Sequence, residues 1–303
     1  MEQGQPESST LVNNTDHFRI PEYQRNIFPT NIYMSAKDIC VFSSIIKEAN
    51  EASLKIELEA IKDGDENKEQ KTGQIKDLMR VEYNLRAPNG DNINGLNIPN
   101  ESDFPDRLVS FFISNEQIAR RAINQSPQNH VNAFFGFSAP PLKIDVMNFP
   151  SNPTPNNSVI NVVGRNEDWV RATADKIQEF LGTKKTIRPV IHGSGAYDLF
   201  LFGLYLPINL GLLERYDAHI FPWLEQKSIL FNVVFGIYLF FLFLIAARLL
   251  FQIIRWLFPP VEYYKQSRTK AMIVRGLIGT ALFILFSSAL NSFGKYLFHL
   301  FFS

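Results

Sequence analysis

The chain has 303 residues, and its 30 lysines and arginines are balanced by 30 aspartates and glutamates. A net charge of zero argues against a general nucleic-acid binder, which presents a strongly basic surface, so no nucleic-acid partner is expected. The one cysteine excludes an intramolecular disulfide. The charges concentrate before residue 195 and most phenylalanines follow it, which indicates a polar domain followed by an apolar region.

The polar first 30 residues predict a flexible tail, because they offer too little apolar area to offset the entropy lost on ordering. The late part of this tail, 20–32, is expected to dock on the domain. That domain is predicted over residues 31–190. It opens with a helix at Ser35, where Ser35 and Asp38 have the spacing of a capping box.

Alternating apolar and charged residues at 54–59 predict a strand, and the charged residues 62–76 a solvated loop. A second alternating segment at 81–85, ended by the turn residues 87–90, is expected to pair antiparallel with the first. Four more strands are predicted at 108–113, 131–137, 142–147 and 159–163, with a proline-rich loop at 149–157.

A helix capped by Asn166 follows the last of these strands, buries a stripe of apolar residues and stops at Gly182. The strands do not alternate regularly with helices. The predicted fold class is therefore α+β, with a mostly antiparallel sheet and flanking helices.

Two uncharged apolar stretches, 228–247 and 276–291, are the strongest feature of the C-terminal third. About 20 helical residues cross a hydrocarbon core of about 30 Å, so spans are predicted at about 228–254 and 272–294. A shorter uncharged stretch between Asp198 and Glu214 would reach about 22 Å. Length alone leaves it open as a short span, a re-entrant piece or a buried helix.

The flanking charges favour a span at about 197–213. The segment 248–275 carries six basic residues against one acid, Glu262, which is typical of a cytoplasmic loop. With two spans the domain would lie on the opposite side, although residues 1–30 contain no apolar segment of a secretory signal. Three spans place the domain in the cytoplasm. We therefore predict an integral plasma or inner membrane protein with a transmembrane region at 196–303 and three spans, two being the alternative.

Candidate membrane-interface residues flank these spans. Trp223 suits the outer interface, where aromatic residues are enriched. On the inner side, aromatic and basic residues would contact lipid headgroups; they are Trp256, Tyr263, Tyr264, Arg255, Lys265, Arg268 and Lys270. Within the spans, Asn232 and Asn291 are the polar candidates. They are expected to hydrogen-bond between helices, and a pore lining is the less favoured interpretation.

No catalytic, cofactor or metal signature stands out. The segment 192–195, His-Gly-Ser-Gly, could expose a nucleophile, but it lacks the G-x-S-x-G pattern and is interpreted as a hinge. The five histidines have no metal-ligand spacing. No glycine-rich phosphate-binding loop occurs. No cofactor is therefore expected.

Three functions remain open at the level of sequence. The favoured hypothesis is a non-enzymatic membrane protein whose cytoplasmic domain binds a partner or ligand, with the helices as anchor or signal relay. The alternative is an oligomeric effector that conducts ions or perturbs the bilayer when its domain is triggered. An enzyme at the membrane face is the least favoured. The expected partners are the lipid bilayer and a protein, either a different one or a second copy.

Overall fold

The computed structural model describes residues 22–59, 68–140, 151–186 and 188–265, together with residues 273, 276, 277, 279 and 280. The first 21 residues of the predicted tail, the strand at 142–147 and nearly all of the predicted span at 272–294 lie outside this part of the chain. So do three of the candidate residues, Arg268, Lys270 and Asn291.

Within the described ranges the chain forms eight strands and eight helices. The strands are β1 (Tyr23–Ile27), β2 (Ile32–Ser35), β3 (Glu82–Arg86), β4 (Asn92–Leu96), β5 (Ser110–Ser114), β6 (Asn129–Gly136), β7 (Val159–Gly164) and β8 (Val261–Tyr264). The helices are α1 (Ala36–Glu59), α2 (Lys68–Leu78), α3 (Gln117–Ile123), α4 (Glu167–Gly182), α5 (Pro189–His192), α6 (Ala196–Phe200), α7 (Leu206–Glu225) and α8 (Ile229–Leu257). A π-helical turn, Leu201–Tyr205, joins α6 to α7.

The α+β domain with a mainly antiparallel sheet is confirmed. Six strands form one antiparallel sheet in the order β1-β7-β6-β5-β3-β4. Helices α1 and α4 pack on one face of it. In the core between helices and sheet, the rings of Phe42 from α1 and Phe135 from β6 pack at right angles, with centroids 5.1 Å apart. Trp169 of α4 ties the two helices together by donating from Nε1 to the Ala49 carbonyl over 3.0 Å.

Helix α1 begins where the capping box predicts. The Ser35 amide donates to Asp38 Oδ2 over 2.8 Å, and the Asp38 amide donates to Ser35 Oγ over 3.2 Å. The predicted strand at 54–59 is wrong, because α1 continues to Glu59. The alternation of apolar and charged residues covers only 54–59, whereas the side of α1 that faces the core continues through this segment. Ser53 donates to the Asn129 carbonyl over 2.8 Å and Ile56 packs against the core.

The predicted loop at 62–76 is also wrong from Lys68 onward, where α2 begins. None of the residues 69–78 of this helix is buried, so it offers no buried apolar stripe that a sequence pattern could reveal. Strand β3 is confirmed, but its partners are β4 and β5 rather than 54–59. The turn after β3 is confirmed by the Gly90 amide, which donates to the Ala87 carbonyl over 3.1 Å.

The strands predicted at 108–113, 131–137 and 159–163 are confirmed as β5, β6 and β7. Helix α4 is confirmed with its predicted cap, because Asn166 Oδ1 accepts a hydrogen bond from the Trp169 amide over 2.9 Å. The tail segment predicted to dock does contribute to the domain. Its strand β1 pairs antiparallel with β7 at the edge of the sheet.

A helical hairpin leaves the domain and returns to it. Helix α6, the π-helical turn and α7 lead outward as one helical segment, and α8 leads back. The start of α8 is capped by Ser228, whose Oγ accepts from the Phe231 amide over 3.3 Å. After α8 the chain forms β8, which pairs in parallel with β2 of the domain. Both ends of the hairpin therefore lie at the domain.

Only α8 among the described helices is long and apolar enough to cross a membrane. The length of its 29 residues, about 43 Å, exceeds a hydrocarbon core of about 30 Å. Its outer half exposes large apolar side chains, including Ile229 at 84% and Leu230 at 74%. Helix α7 carries Glu214, Arg215 and Asp217 in its middle. Of the three predicted spans, the described residues contain one candidate of full length.

Candidate functional site: the joint between domain and hairpin

Polar side chains are buried where the hairpin meets the domain. We call this region the joint, and define it as residues 151–154, Arg188, α5, the first residues of α6, the last turn of α8, residues 258–260 and β8. Pro189 starts α5 at the first helical position, where no amide donor is needed. The consecutive prolines at 259 and 260 cannot continue α8. The prolines thus start α5 before the hairpin and end α8 after it.

A buried ion pair is the centre of the joint. Arg188 pairs with Glu262 of β8, and their side chains are only 7% and 4% exposed. Arg188 also donates from Nη1 to the Pro259 carbonyl over 2.6 Å. One guanidinium therefore holds the segment before the hairpin to the strand after it.

His192 connects α5 to the end of α8 and to residue 154. Since a carbonyl only accepts, its Nε2 carries the hydrogen and donates to Phe258 O at the end of α8. Nδ1 is then the acceptor for the Thr154 hydroxyl, 2.8 Å away. Burial is the main cause that lowers the pKa of His192 from 6.5 to about 4; the Phe258 carbonyl opposes this shift, and the positive charges of Arg255 and Arg188 contribute to it. The neutral imidazole is thus the form that fits this site.

Arg255 fastens the last turn of α8 to the domain. Its guanidinium donates to the Ile191 carbonyl over 3.2 Å and to the Asn152 carbonyl over 3.1 Å, and lies 4.7 Å from the ring centroid of Phe251. Arg255 is predicted from sequence to contact lipid headgroups. It is instead 8% exposed and used in packing.

Two predicted interface tyrosines also lie inside the domain. Tyr263 stacks on Phe104 with centroids 6.2 Å apart and donates its hydroxyl to the Pro105 carbonyl over 3.1 Å. Burial raises the pKa of Tyr263 well above its usual range. Tyr264 is 9% exposed. The correction has a simple cause, because the residues after α8 form a strand of the domain instead of a free loop.

The remaining candidate residues are placed as follows. Trp256 lies on α8 with 41% of its surface exposed. Lys265 pairs with Asp106 of the domain at 3.3 Å. Trp223 lies in α7. Asn232 of α8 donates from Nδ2 to the Leu224 carbonyl of α7 over 2.9 Å, and so links the two arms of the hairpin.

The segment 192–195 packs as part of the joint. The Gly195 amide donates to the Ser151 carbonyl over 3.0 Å, and its φ of 73° suits glycine. Ser194 is exposed. The neighbouring His192 ring already has a partner at each nitrogen and cannot serve Ser194 as a general base in this arrangement.

Among the described residues, no group of three or more His, Cys, Asp or Glu side chains is arranged to hold a metal ion. The joint instead brings together two arginines, one histidine and one glutamate, each held by carbonyls, a hydroxyl or an opposite charge. Such a set can fix the angle between a domain and a helical hairpin. No family model, curated protein or solved structure matches the chain.

The depressed pKa of His192 predicts acid sensitivity. Between about pH 6.5 and pH 4 the unfolded chain binds a proton at His192 and the folded chain does not, so stability falls as the pH decreases through this window. We expect His192→Gln to flatten the dependence of the unfolding midpoint on pH between 6.5 and 5. Thermal unfolding of the purified chain in detergent measures this. Arg171→Gln on the exposed side of α4 should keep the wild-type slope, and a slope unchanged by His192→Gln contradicts the assignment.

Proposed function

We propose that the protein is a non-enzymatic membrane-anchored binding protein. Its α+β domain lies on the cytoplasmic side of the plasma or inner membrane and binds a protein partner. The hairpin and the segment after β8 anchor the domain and relay its state to the bilayer. The joint is the element through which the domain and the hairpin act on each other.

The observation that carries this proposal is the return of the chain to the domain after α8. His192 before the hairpin contacts Phe258 after it, and β8 pairs with β2. If α8 crosses the bilayer, the segment from α6 to α7 has to cross it as well, because both ends of the hairpin are on the domain side. This geometry supports a first span at 197–213 independently of charge bias.

The short first span fits this arrangement despite its length. Its 15 uncharged residues fall short of the hydrocarbon thickness by several ångströms, which local thinning of the bilayer accommodates at modest cost. With the span at 272–294, the proposal has three crossings. The basic residues of 248–275 and the domain then share the cytoplasmic side, in agreement with the positive-inside rule.

The second face of the six-stranded sheet is the proposed partner surface. Helices α1 and α4 cover only the opposite face. On this second face, Phe112 of β5 lies opposite Phe134 of β6, and both are only partly buried. Asn84 lies beside Phe112, and Asn132 and Asn161 form a second pair of neighbours. Aromatic rings flanked by amides suit a protein interface, since they combine apolar area with hydrogen-bonding groups.

A photo-crosslinking residue tests this surface in cells. At position 134 we expect a discrete adduct with a protein of different mass, which is lost when Phe112→Asp is added. The same crosslinker at position 41, an exposed site on the helix-covered side, is the matched control and should give none. An adduct of twice the chain mass would assign the face to a second copy. No adduct at position 134, or the same adduct at position 41, would refute the proposed surface.

The placement of Asn232 favours an anchor over the alternative of a conducting effector. Its Nδ2 donates within the hairpin, from α8 to the Leu224 carbonyl of α7, and its Oδ1 is sealed from solvent. A pore lining would present that amide to water. We therefore retain the anchor and relay as the proposed role of the helices.

A further inference from the structure

Arg248 is a buried cation without a counter-charge. It lies in α8, one helical turn before Phe251, and is 8% exposed. Its Nε atom is sealed from solvent and has no hydrogen-bond partner. Among the described residues, Arg248 forms no ion pair within 4.0 Å. A buried charge left unpaired is strongly unfavourable, so an anion is expected at this position.

The neighbouring charges do not supply that anion. Asp198 of α6 accepts a hydrogen bond from Ser151 Oγ over 2.8 Å and forms no ion pair with Arg248. Arg255, two turns further along α8, already has two carbonyl partners. Of the three buried arginines at and near the joint, Arg188, Arg248 and Arg255, only Arg248 has no hydrogen-bond partner among the described residues.

The depth of Arg248 in the hairpin identifies the kind of anion. Residues 228–247 carry no charge and extend about 30 Å before Arg248 is reached. On the other arm, Asp198 is the last charge before the uncharged stretch 199–213. Tyr197, next to Asp198, packs with Ala247 and Phe251, which lie beside Arg248 and one turn after it, and the rings of Tyr197 and Phe251 are 5.5 Å apart. The two charge boundaries therefore lie at one level. At that level the hydrocarbon ends and lipid phosphates begin.

We propose that Arg248 binds the phosphate of an anionic phospholipid from the leaflet on the domain side. This inference rests on the proposed membrane insertion of the hairpin. The planar guanidinium pairs with two phosphate oxygens at once. The terminal nitrogens are not among the sealed unpaired atoms, so they remain open to a headgroup although Nε is closed. A bound lipid would stabilise the base of the hairpin next to the joint.

The test uses the full chain purified in a neutral detergent, with phosphatidylglycerol as the probe. Native mass spectrometry and the unfolding midpoint report binding. We expect Arg248→Gln to weaken phosphatidylglycerol binding about 10- to 100-fold, as the loss of a charged hydrogen-bonding group predicts. Arg248→Lys should keep part of the affinity. Arg171→Gln removes an exposed cation on α4 and should bind like the wild type.

Other outcomes would contradict the lipid assignment, the site or the membrane insertion. Equal stabilisation by inorganic phosphate would make this a site for soluble anions and overturn the lipid assignment. Unchanged phosphatidylglycerol binding by Arg248→Gln would overturn the site. If that variant does not fold, Arg248→Lys decides, and wild-type affinity in Arg248→Lys together with equal binding of phosphatidylcholine overturns it. Flotation with pure phosphatidylcholine vesicles tests membrane insertion separately, because failure to float refutes the proposed function itself.

Discussion

Arg188→Met is expected to lower the free energy of unfolding by about 3–5 kcal/mol, the typical cost of breaking a buried ion pair. The substitution leaves Glu262 as a buried charge without its guanidinium and removes the bond to the Pro259 carbonyl. Chemical denaturation of the full chain in detergent measures the loss. Hydrogen exchange should locate it, with amides of β2 and β8 exchanging faster while β5 and β6 remain protected, because the pair holds β8 and not the main sheet.

Two comparisons make this result specific. Arg171→Met breaks the exposed pair with Glu167, whose side chains are 61% and 54% exposed, and should change stability by less than about 0.5 kcal/mol. The double variant Arg188→Met, Glu262→Met replaces both charges and should recover most of the loss. A uniform increase in exchange across the whole domain would contradict a local role of the pair at the joint.

The parts of the fold that were predictable from sequence are governed by local chemistry. The capping box at Ser35, the cap at Asn166 and the turn after β3 each depend on residues within four positions of one another. Strands β5, β6 and β7 have buried side chains at alternate positions. These signals survive in any tertiary context that buries one face.

The wrong predictions occur where tertiary contacts decide whether a segment forms a helix or a strand. Residues 54–59 alternate like a strand, yet Ser53 reaches Asn129 in β6 and extends the helical face of α1 by another turn. Strand β8 pairs with β2 across more than 200 residues of sequence. No local pattern contains that pairing, and without it Tyr263 and Arg255 read as membrane-facing residues.

The candidate site also combines features that local sequence signals predict with features that depend on tertiary contacts. From sequence, basic and aromatic residues are predicted to lie at the inner membrane interface, and in the structure several of them lie at the base of the hairpin. The prediction assigns them to lipid because an isolated loop has no other partner. The signal that was available is the Pro259-Pro260 pair, which cannot continue a helix, followed by Val261, Tyr263 and Tyr264, residue types that are enriched in strands. His192 carries no such signal, since its partners Thr154 and Phe258 are distant in sequence.

The joint also changes what the three-span prediction depends on. From sequence, the prediction of the first span rests on the charge of a loop and on the expectation that the domain is not exported. In the structure, several of those charges have other partners, such as Glu262 for Arg188 and Asp106 for Lys265. The case for two crossings within the hairpin now depends on the contact between residues before and after it. Since both ends of the hairpin lie at the domain, the hairpin crosses the membrane only if the turn at 226–228 lies on the side opposite the domain.

Cysteine labelling of intact cells should therefore report opposite sides for the two ends of the hairpin. In a Cys40→Ser background, which contains no other cysteine, a membrane-impermeant maleimide is expected to label Gln226→Cys from outside. Val190→Cys, at an exposed position of α5, should react only after permeabilisation. The expected contrast is nearly all-or-none, because an α8 that spans the bilayer separates the two positions by its full thickness.

Val41→Cys is the matched control, since this exposed position on α1 belongs to the domain itself and should behave like position 190. Labelling of 226 and 190 from the same side would mean that the hairpin does not cross, and the anchor would then have to be the segment after β8. Labelling of 190 and 41 from opposite sides would contradict the joint, because β8 and Arg188 fix α5 to the domain. The three positions together thus separate an error in membrane insertion from an error in how the hairpin is attached.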